Sequence, residues 1–214
     1  MKYFVDTEFI EGYKKPLLGK KIWTIDLISI GIVAEDGQEY YALNKEVDLK
    51  RVWKDKCLRE NVMLGIYKEY VHGDRRNVEK FTYWTMKYIF RSMGKSRERI
   101  ATDLRFFIFP SRETCKVEDF GEYVKLYGNP EIWGYFADYD WVVICSNLYG
   151  RMIDLPKSFP MYCLDLKQTM VTLGLSKDWK RENCPDPEGE HNALVDARWN
   201  KKLYEKIIEH NKNI

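Results

Sequence analysis

A length of 214 residues fits one domain of ordinary size, and a hydrophobic fraction of 45% is enough for a sizeable core. The formal net charge of +2 excludes nucleic-acid binding through overall charge, so any such partner has to be held by a local basic patch. No segment approaches the length of an apolar membrane span, so we expect no membrane partner. The five cysteines form no C-x-x-C pair, and an odd count without zinc spacing indicates reduced thiols in a cytoplasmic protein.

The first ten residues hold a predicted strand with two acidic side chains near its end. Tyr3, Phe4 and Val5 are aromatic or β-branched residues, which favour a covered strand. Because side chains alternate between the two faces of a strand, Asp6 and Glu8 are expected on the same face. Neighbouring carboxylates repel each other, and a hard divalent cation such as Mg²⁺ or Mn²⁺ resolves that conflict. The alternative interpretation is a turn at Asp6 and a solvated loop from Glu8.

A predicted hairpin follows this strand. Residues 11–21 are expected to form a loop that carries four lysines: Lys14, Lys15, Lys20 and Lys21. The apolar run 27–34 and the segment 39–43 predict two further strands. The Asp36-Gly37 pair between them is typical of a tight antiparallel turn.

The middle of the chain predicts helices. Residues 44–93 are charged and aromatic, with weak helical periodicity that gives little guidance. Ser96 predicts the N-cap of a helix that ends near Pro110, and an apolar stripe over residues 117–127 predicts another helix, closed by Gly128.

The second half of the chain alternates strands and helices. Its predicted elements are a central strand over 132–137, a helix over 140–149, a short strand over 161–164, a helix capped by Asp165, a mobile loop over 176–190 and a last helix over 192–210. This order predicts an α/β fold, a central mixed β-sheet flanked by helices. We expect a single domain over residues 1–214, in which residues 44–110 form an insertion, a dimer surface or a substrate clamp.

Further acidic side chains follow the predicted strands and precede the last helix. Asp138 and Asp140 stand at a strand-to-helix junction, and Asp196 lies early in the last helix. His191 directly precedes that helix and lies about one turn from Asp196, so His191 and Asp196 are expected to face one cavity. Taken singly, such an aspartate is often a helix cap and such a histidine is usually structural.

Taken together, these motifs resemble the DEDDh 3′-5′ exonucleases, a superfamily with a ribonuclease H-like fold. The resemblance rests on Asp-x-Glu in the first strand, an aspartate after a central strand, and His-x-x-x-x-Asp at a late helix. The chain is closest to the mycobacterial-type 3′-5′ exoribonuclease family and is also similar to phage exonuclease A. The stretches that carry this resemblance are FVDTEF (4–9), WGYFADYD (133–140), PKSFPM (156–161) and HNALVDAR (191–198).

The resemblance implies a catalytic site with two divalent ions, Mg²⁺ or Mn²⁺. Asp6 would bridge both ions, Glu8 and Asp196 would complete the site of one, and Asp140 would hold the other. His191 would act as general base, taking a proton from the attacking water.

The choice of Asp140 over Asp138 rests on the residues that come after each of them. In the superfamily, apolar residues that pack into the core follow the acidic ligand at three and four positions, and Val143 and Ile144 stand there after Asp140. We expect Asp138 to be a cap or a supporting ligand.

Candidate substrate contacts lie around the same motifs. We expect Thr7 to meet the 3′-terminal sugar and Phe9 to pack against a base, with Trp23 and Tyr139 as further stacking residues. Trp141 is another stacking candidate, and core packing is the alternative for each ring. Lysines 14, 15, 20 and 21, together with Lys177, Lys180 and Arg181, are expected to flank the site and track phosphates.

The resemblance therefore implies an enzyme that removes nucleoside 5′-monophosphates from the 3′ end of single-stranded RNA. An exonuclease acting on single-stranded DNA, a non-catalytic nucleic-acid or nucleotide binder, and an internally cutting nuclease of the same fold are the alternatives. Because many superfamily members are dimers, a homodimer is also compatible with the sequence.

Overall fold

A computed structural model describes residues 1–14, 19–73, 80–109, 124–125, 128–157 and 159–212. Within these ranges, five strands form one sheet in the order β3–β2–β1–β4–β5. The strands are β1 (Lys2–Lys14), β2 (Ile22–Ala34), β3 (Glu39–Leu43), β4 (Glu131–Gly134) and β5 (Leu164–Asp165). Strands β1, β2 and β3 pair antiparallel, whereas β4 and β5 run parallel to β1. The predicted α/β fold with a mixed central sheet is confirmed, and its strand order is consistent with a ribonuclease H-like fold.

Helices cover both faces of this sheet. They are α1 (Leu49–Lys54), α2 (Lys56–Leu58), α3 (Leu64–Gly73), α4 (Tyr83–Met93), α5 (Arg97–Ile108), α6 (Ala137–Ile144), α7 (Leu166–Thr172), α8 (Lys177–Asn183) and α9 (Ala193–Lys212). A π-helical segment, Arg59–Met63, joins α2 to α3, and another, Cys145–Tyr149, extends α6. None of the described helices is both long and apolar enough to cross a membrane.

The alternation of β1 side chains separates two parts of the core. Tyr3 and Val5 point to one face and pack with α5 and α6. Ile10 points to the other face and packs with residues of α1, α3 and α4, while Phe4 on that same face meets Tyr204 of α9. The acidic side chains Asp6 and Glu8 have the same parity as Phe4 and Ile10, so they face α9.

Several predicted boundaries are confirmed. Gly37 takes a left-handed φ of 91° at the β2–β3 turn. The side chains of Ser96 and Asp165 accept hydrogen bonds from the first turns of α5 and α7, as expected for N-caps. The last helix also lies where the sequence predicts it.

Other boundaries differ from the prediction. Residues 11–14 and 22–26 belong to strands, because Ile10 is buried and Tyr13 pairs with Trp23 across the hairpin. The predicted loop 176–190 contains α8, whose N-terminus is capped by Ser176. The predicted strand 132–137 ends at Gly134, since Phe136 adopts a left-handed φ of 58°. The predicted helix over 117–127 lies almost wholly outside the described residues. Lys15 lies outside them as well.

Candidate active site

Three carboxylates from two distant elements meet at the carboxyl edge of the sheet. Asp6 and Glu8 come from β1, and Asp196 comes from the first turn of α9. One ligand oxygen of each lies within 4.8 Å of the other two. Such an all-oxygen donor set suits a hard divalent cation. The described residues contain no other group of three or more His, Cys, Asp or Glu side chains arranged in this way.

The position of Asp196 depends on close contact between α9 and the sheet. Gly31 of β2 lies opposite Asp6 in the strand register. A Cβ atom at Gly31 would lie only 2.2 Å from the carbonyl oxygen of Ala193, so the first turn of α9 rests directly on the β2 backbone. One turn after Asp196, the Asn200 amide donates to the Val5 carbonyl at 2.9 Å. These two contacts hold the first turns of α9 against the strand that carries Asp6.

Asp140 reaches the site from α6 on the opposite face of the sheet. Strand β4 pairs with β1 only from Lys2 to Phe4, which leaves the Thr7 N–H without a strand partner. That N–H and the Thr7 hydroxyl both donate to Asp140 Oδ1, at 2.7 and 2.6 Å. Asp140 is only 5% exposed, whereas Asp138 is exposed to solvent. The structure thus brings Asp140, and not Asp138, against the acidic strand.

His191 is fixed at the start of α9. Its backbone takes a left-handed φ of 70°, which is unusual for a residue with a side chain. The His191 N–H donates to Asp196 Oδ2 at 2.9 Å, and the neighbouring Asn192 amide donates to Glu69 Oε2 of α3 at 2.8 Å. His191 lines the same cavity as Asp6, Glu8 and Asp196.

The carboxylates in this cavity repel each other and lose contact with water. Burial, together with the charges of Asp140, Glu8 and Asp196, raises the pKa of Asp6 well above its usual range. Burial and the charge of Asp196 raise the pKa of Glu8 to about 8. Burial also raises the pKa of Asp196 to about 6, against the opposing effect of the His191 N–H. A bound cation would reverse this preference for the protonated forms.

The cavity has a volume of about 620 Å³ and opens between β1, the segment before α6, α7, α8 and α9. Besides the acidic residues and His191, its walls include Thr7, Tyr135, Phe136, Lys167, Lys177, Lys180, Trp199 and Asn200. The space therefore combines an acidic floor with aromatic and basic walls, as the terminal nucleotide of a polyanionic strand would require.

Known proteins resemble this chain over almost its whole length. A model of the family described as the 3′-5′ exoribonuclease Rv2179c-like domain matches residues 1–208. The chain belongs to this family. Two similar proteins from Mycobacterium tuberculosis are the 3′-5′ exoribonuclease Rv2179c of strain ATCC 25618 / H37Rv and the 3′-5′ exoribonuclease MT2234.1 of strain CDC 1551 / Oshkosh. Each is 30% identical over 204 residues, which covers 92% of this chain and 88% of the relative.

The expected stacking residues of this Rv2179c-like chain lie in two different places. Phe9 and Tyr139 pack against each other with nearly parallel rings, 6.1 Å between centroids and 13° between planes. Trp23 contacts Tyr13 near the end of the β1–β2 hairpin and does not line the cavity that holds Asp6 and His191. Trp141 is buried in the core.

Sequence reasoning missed several residues of the cavity wall. Trp199 and Asn200 follow Asp196 at three and four positions, so the helical repeat alone predicts that they share its face. Lys180 appeared only as one of several loop cations, but its ammonium group lies over the Trp199 ring at 4.7 Å and pairs with Asp186. Nothing in the sequence indicated that Phe136 would line the cavity, because an aromatic residue does not predict the left-handed backbone that places it there.

Proposed function

We propose that this protein is a metal-dependent 3′-5′ exoribonuclease that releases nucleoside 5′-monophosphates from single-stranded RNA. The observation that carries the proposal is the convergence of Asp6, Glu8 and Asp196 within 4.8 Å, in one cavity with His191. Membership of the Rv2179c-like exoribonuclease family supports RNA as the substrate class. The same arrangement supports the resemblance to the DEDDh exonucleases.

The donor set fits the cofactor that this chemistry needs. Asp6, Glu8 and Asp196 offer carboxylate oxygens close together. Asp140 lies outside this group of three and would offer the oxygen that Thr7 does not contact. Mg²⁺ and Mn²⁺ prefer such ligands. When bound, two such ions would stabilise negative charge on the attacking and leaving oxygens of the phosphodiester.

The protein's own groups would handle the proton and the orientation of the strand. His191 would accept a proton from the water that attacks the terminal phosphorus, the P–O3′ bond to the preceding nucleotide would break, and the departing O3′ would take up a proton from solvent. The hydrogen bond from the His191 N–H to Asp196 holds the general base next to a ligand carboxylate. Thr7 would hold Asp140 in place and meet the terminal sugar through its backbone.

The terminal base has two aromatic surfaces available. Phe136 lies exposed at the cavity wall, in edge contact with Tyr135 at 4.7 Å between ring centroids. In the Phe9–Tyr139 pair, Phe9 follows Thr7 by two positions and Tyr139 directly precedes Asp140. The Tyr139 ring is exposed. Stacking on either surface would contribute about 1–3 kcal/mol per base without selecting a sequence.

The test is the release of mononucleotides from end-labelled single-stranded RNA and DNA at equal concentration, with Mg²⁺ or Mn²⁺ and with a chelator. We expect 5′-monophosphates from RNA in the presence of metal and none with the chelator. The Asp6→Asn variant should lose at least about 1000-fold in kcat, because it removes one of the carboxylates that would hold the ions. Asp138→Asn is the matched control, since Asp138 is an exposed carboxylate on the same helix as Asp140, and it should keep most of the activity.

Three results would contradict the proposal in different ways. Faster hydrolysis of DNA would overturn the choice of RNA. Oligonucleotide products would indicate internal cutting, because an exonuclease releases one nucleotide at a time. Unchanged activity of Asp6→Asn would exclude the proposed metal site.

A further inference from the structure

Strands β1 and β2 continue past the catalytic carboxylates as a two-stranded arm. We call residues 11–14 and 22–25, which pair with each other, the hairpin arm. Because β4 pairs with β1 only as far as Phe4, the arm extends beyond the edge of the sheet at which the catalytic cavity opens. At about 3.3 Å per residue, Lys14 lies about 26 Å along the strand from Asp6.

The arm exposes two large aromatic rings. Tyr13 is 61% exposed and Trp23 is 55% exposed. Their rings meet edge to face, with 5.0 Å between centroids, and the Lys21 ammonium lies 5.9 Å from the centre of the Tyr13 ring. Cross-strand packing explains why the rings touch, but it leaves more than half of each side chain in water.

A basic cleft of about 670 Å³ lies between the arm and α1. Its walls are Tyr13, Lys14, Ile22, Thr24, Asp48, Lys50, Arg51 and Lys54. Among the described residues, Lys50 and Lys54 have no ion-pair partner, while Lys14 and Arg51 share the single carboxylate of Asp26. Four basic side chains of the cleft carry four positive charges, and the carboxylates of Asp26 and Asp48 carry two negative charges. The cleft therefore has a net charge of +2, equal to that of the whole chain. Phosphates are the complementary partner for this excess.

The cleft is built by a fixed network, and not by flexible lysines alone. Arg51 Nη1 donates to Asp26 Oδ2 at 2.7 Å and to Thr24 Oγ1 at 3.0 Å, which ties α1 to the arm. The other terminal nitrogen, Nη2, is enclosed and has no hydrogen-bond acceptor among the described residues. A Cβ atom at Gly12, where φ is +126°, would lie 3.3 Å from this nitrogen. The arm is therefore firmly joined to α1, the helix that carries Lys50 and Lys54.

We propose that the hairpin arm and the basic cleft form a second binding site for single-stranded RNA, which holds the strand several nucleotides upstream of the 3′ end. This inference rests on the proposed function, since the terminal nucleotide of the same strand would occupy the catalytic cavity. Tyr13 and Trp23 belong to the strand face opposite to Lys14, and Tyr13 reaches the cleft at its edge. A strand that crosses this edge would stack its bases on the two rings, and Lys50, Lys54 and Lys14 would neutralise its phosphates. Because Lys14 lies about 26 Å along the strand from Asp6, only strands longer than a few nucleotides span both sites.

The direct test measures affinity without catalysis. A fluorescein-labelled oligoribonucleotide dodecamer is titrated with the full-length protein in chelator, and binding is followed by fluorescence anisotropy. We expect the Tyr13→Ala/Trp23→Ala variant and the Lys50→Gln/Lys54→Gln variant each to weaken binding about fivefold or more, the lower bound for loss of one stacked base. The lysine variant should also reduce the dependence of affinity on salt.

A matched control comes from α4. Trp84 is 69% exposed, and the Lys87 ammonium lies 5.0 Å from the centre of its ring, a contact of the same chemistry outside both cavities. The Trp84→Ala/Lys87→Ala variant should bind the dodecamer like the wild type. If the arm variants also bind like the wild type, or if the control weakens binding as much as they do, the inference is overturned.

Substrate length provides the second readout. The arm variants should lower kcat/KM about fivefold or more for the dodecamer and leave it unchanged for a dinucleotide, which is too short to reach the arm. An equal loss on both substrates would mean that the variants disturb the catalytic cavity, and would overturn the inference. Absence of hydrolysis by the wild type would instead refute the proposed function, while the affinity measurement would still decide the role of the arm.

Discussion

At the scale of single residues, Thr7 holds together the two faces of the site. The strand places its side chain on the face opposite to Asp6 and Glu8. Its N–H and its hydroxyl converge on one oxygen of Asp140, Oδ1. Burial raises the pKa of Asp140 to about 7, and these two hydrogen bonds oppose that rise. Thr7 therefore acts by holding the Asp140 carboxylate and keeping it closer to its charged form.

The Thr7→Val variant isolates the hydroxyl, because valine keeps almost the same shape. A hydrogen bond to a charged group contributes about 1.5–3 kcal/mol, so we expect kcat to fall at least about tenfold and the unfolding free energy to fall by about 1–3 kcal/mol. Thr7→Ser should restore most of both. Steady-state kinetics and thermal unfolding provide the measurements. If Thr7→Val instead raised KM with unchanged stability, Thr7 would act only on the substrate.

At the scale of elements, the contact between β2 and α9 determines how close Asp196 of α9 lies to Asp6 of β1. Gly31 lies opposite Asp6, and its missing side chain lets Ala193 approach the strand backbone. In the Gly31→Ala variant, the new Cβ would overlap backbone atoms of Ala193 and Leu194, so α9 would have to move away. We expect a loss of at least about 2 kcal/mol in unfolding free energy, typical of overpacking, and at least about tenfold lower kcat because Asp196 moves with the helix.

The control for this prediction is Gly65→Ala in α3. The nearest atom to a Cβ at Gly65 is the His191 carbonyl oxygen at 4.0 Å, so the methyl group fits and alanine favours the helix. This variant should keep its activity and gain slightly in thermal stability. Normal activity of Gly31→Ala would show that the position of Asp196 tolerates movement of α9.

The sequence predicted the elements whose patterns are local. Strand alternation placed Asp6 and Glu8 together, and side-chain caps marked α5 and α7. The arm was missed because Tyr13 and Trp23 stand in a segment rich in glycine and lysine, and their pairing depends on a register set elsewhere in the hairpin. The tie between Thr7 and Asp140 was also missed, because it results from the short pairing of β4 with β1. Such long-range consequences leave no periodic pattern in the chain.

At the scale of the whole molecule, the acidic side chains of the site destabilise the folded protein. Three hydrophobic clusters hold the helices against the sheet, while four carboxylates are gathered at its edge with raised pKa values. Gathering like charges in a partly dry cavity costs free energy unless protons or cations neutralise them. The free energy of unfolding should therefore depend on pH and on divalent metal through this one cluster.

The direction of the pKa shifts determines the sign of this dependence. Because the carboxylates keep their protons to higher pH in the folded protein than in the unfolded chain, unfolding releases protons between about pH 4 and about pH 8. In chelator, the contribution of the cluster to stability is therefore greatest at low pH and is lost as the pH rises through about 6 for Asp196 and about 8 for Glu8. The Glu8→Gln variant removes one of these groups, so its metal-free stability should fall less between about pH 5 and about pH 8.

Thermal unfolding of the wild type and of Glu8→Gln at these two pH values, in chelator and in Mg²⁺ or Mn²⁺, tests this expectation. Other ionisable groups contribute equally to both proteins, so the difference between them reports the cluster. A change of about 1 kcal/mol corresponds to about 2–4 °C in a chain of this size, and we expect Glu8→Gln to be more stable than the wild type by at least that amount at the higher pH in chelator. Divalent metal should stabilise the wild type and have less effect on the variant, because the cations take the place of the protons. Asp138→Asn should follow the wild type throughout, and equal pH dependence in the wild type and Glu8→Gln would mean that the carboxylates are not in conflict when the metal is removed.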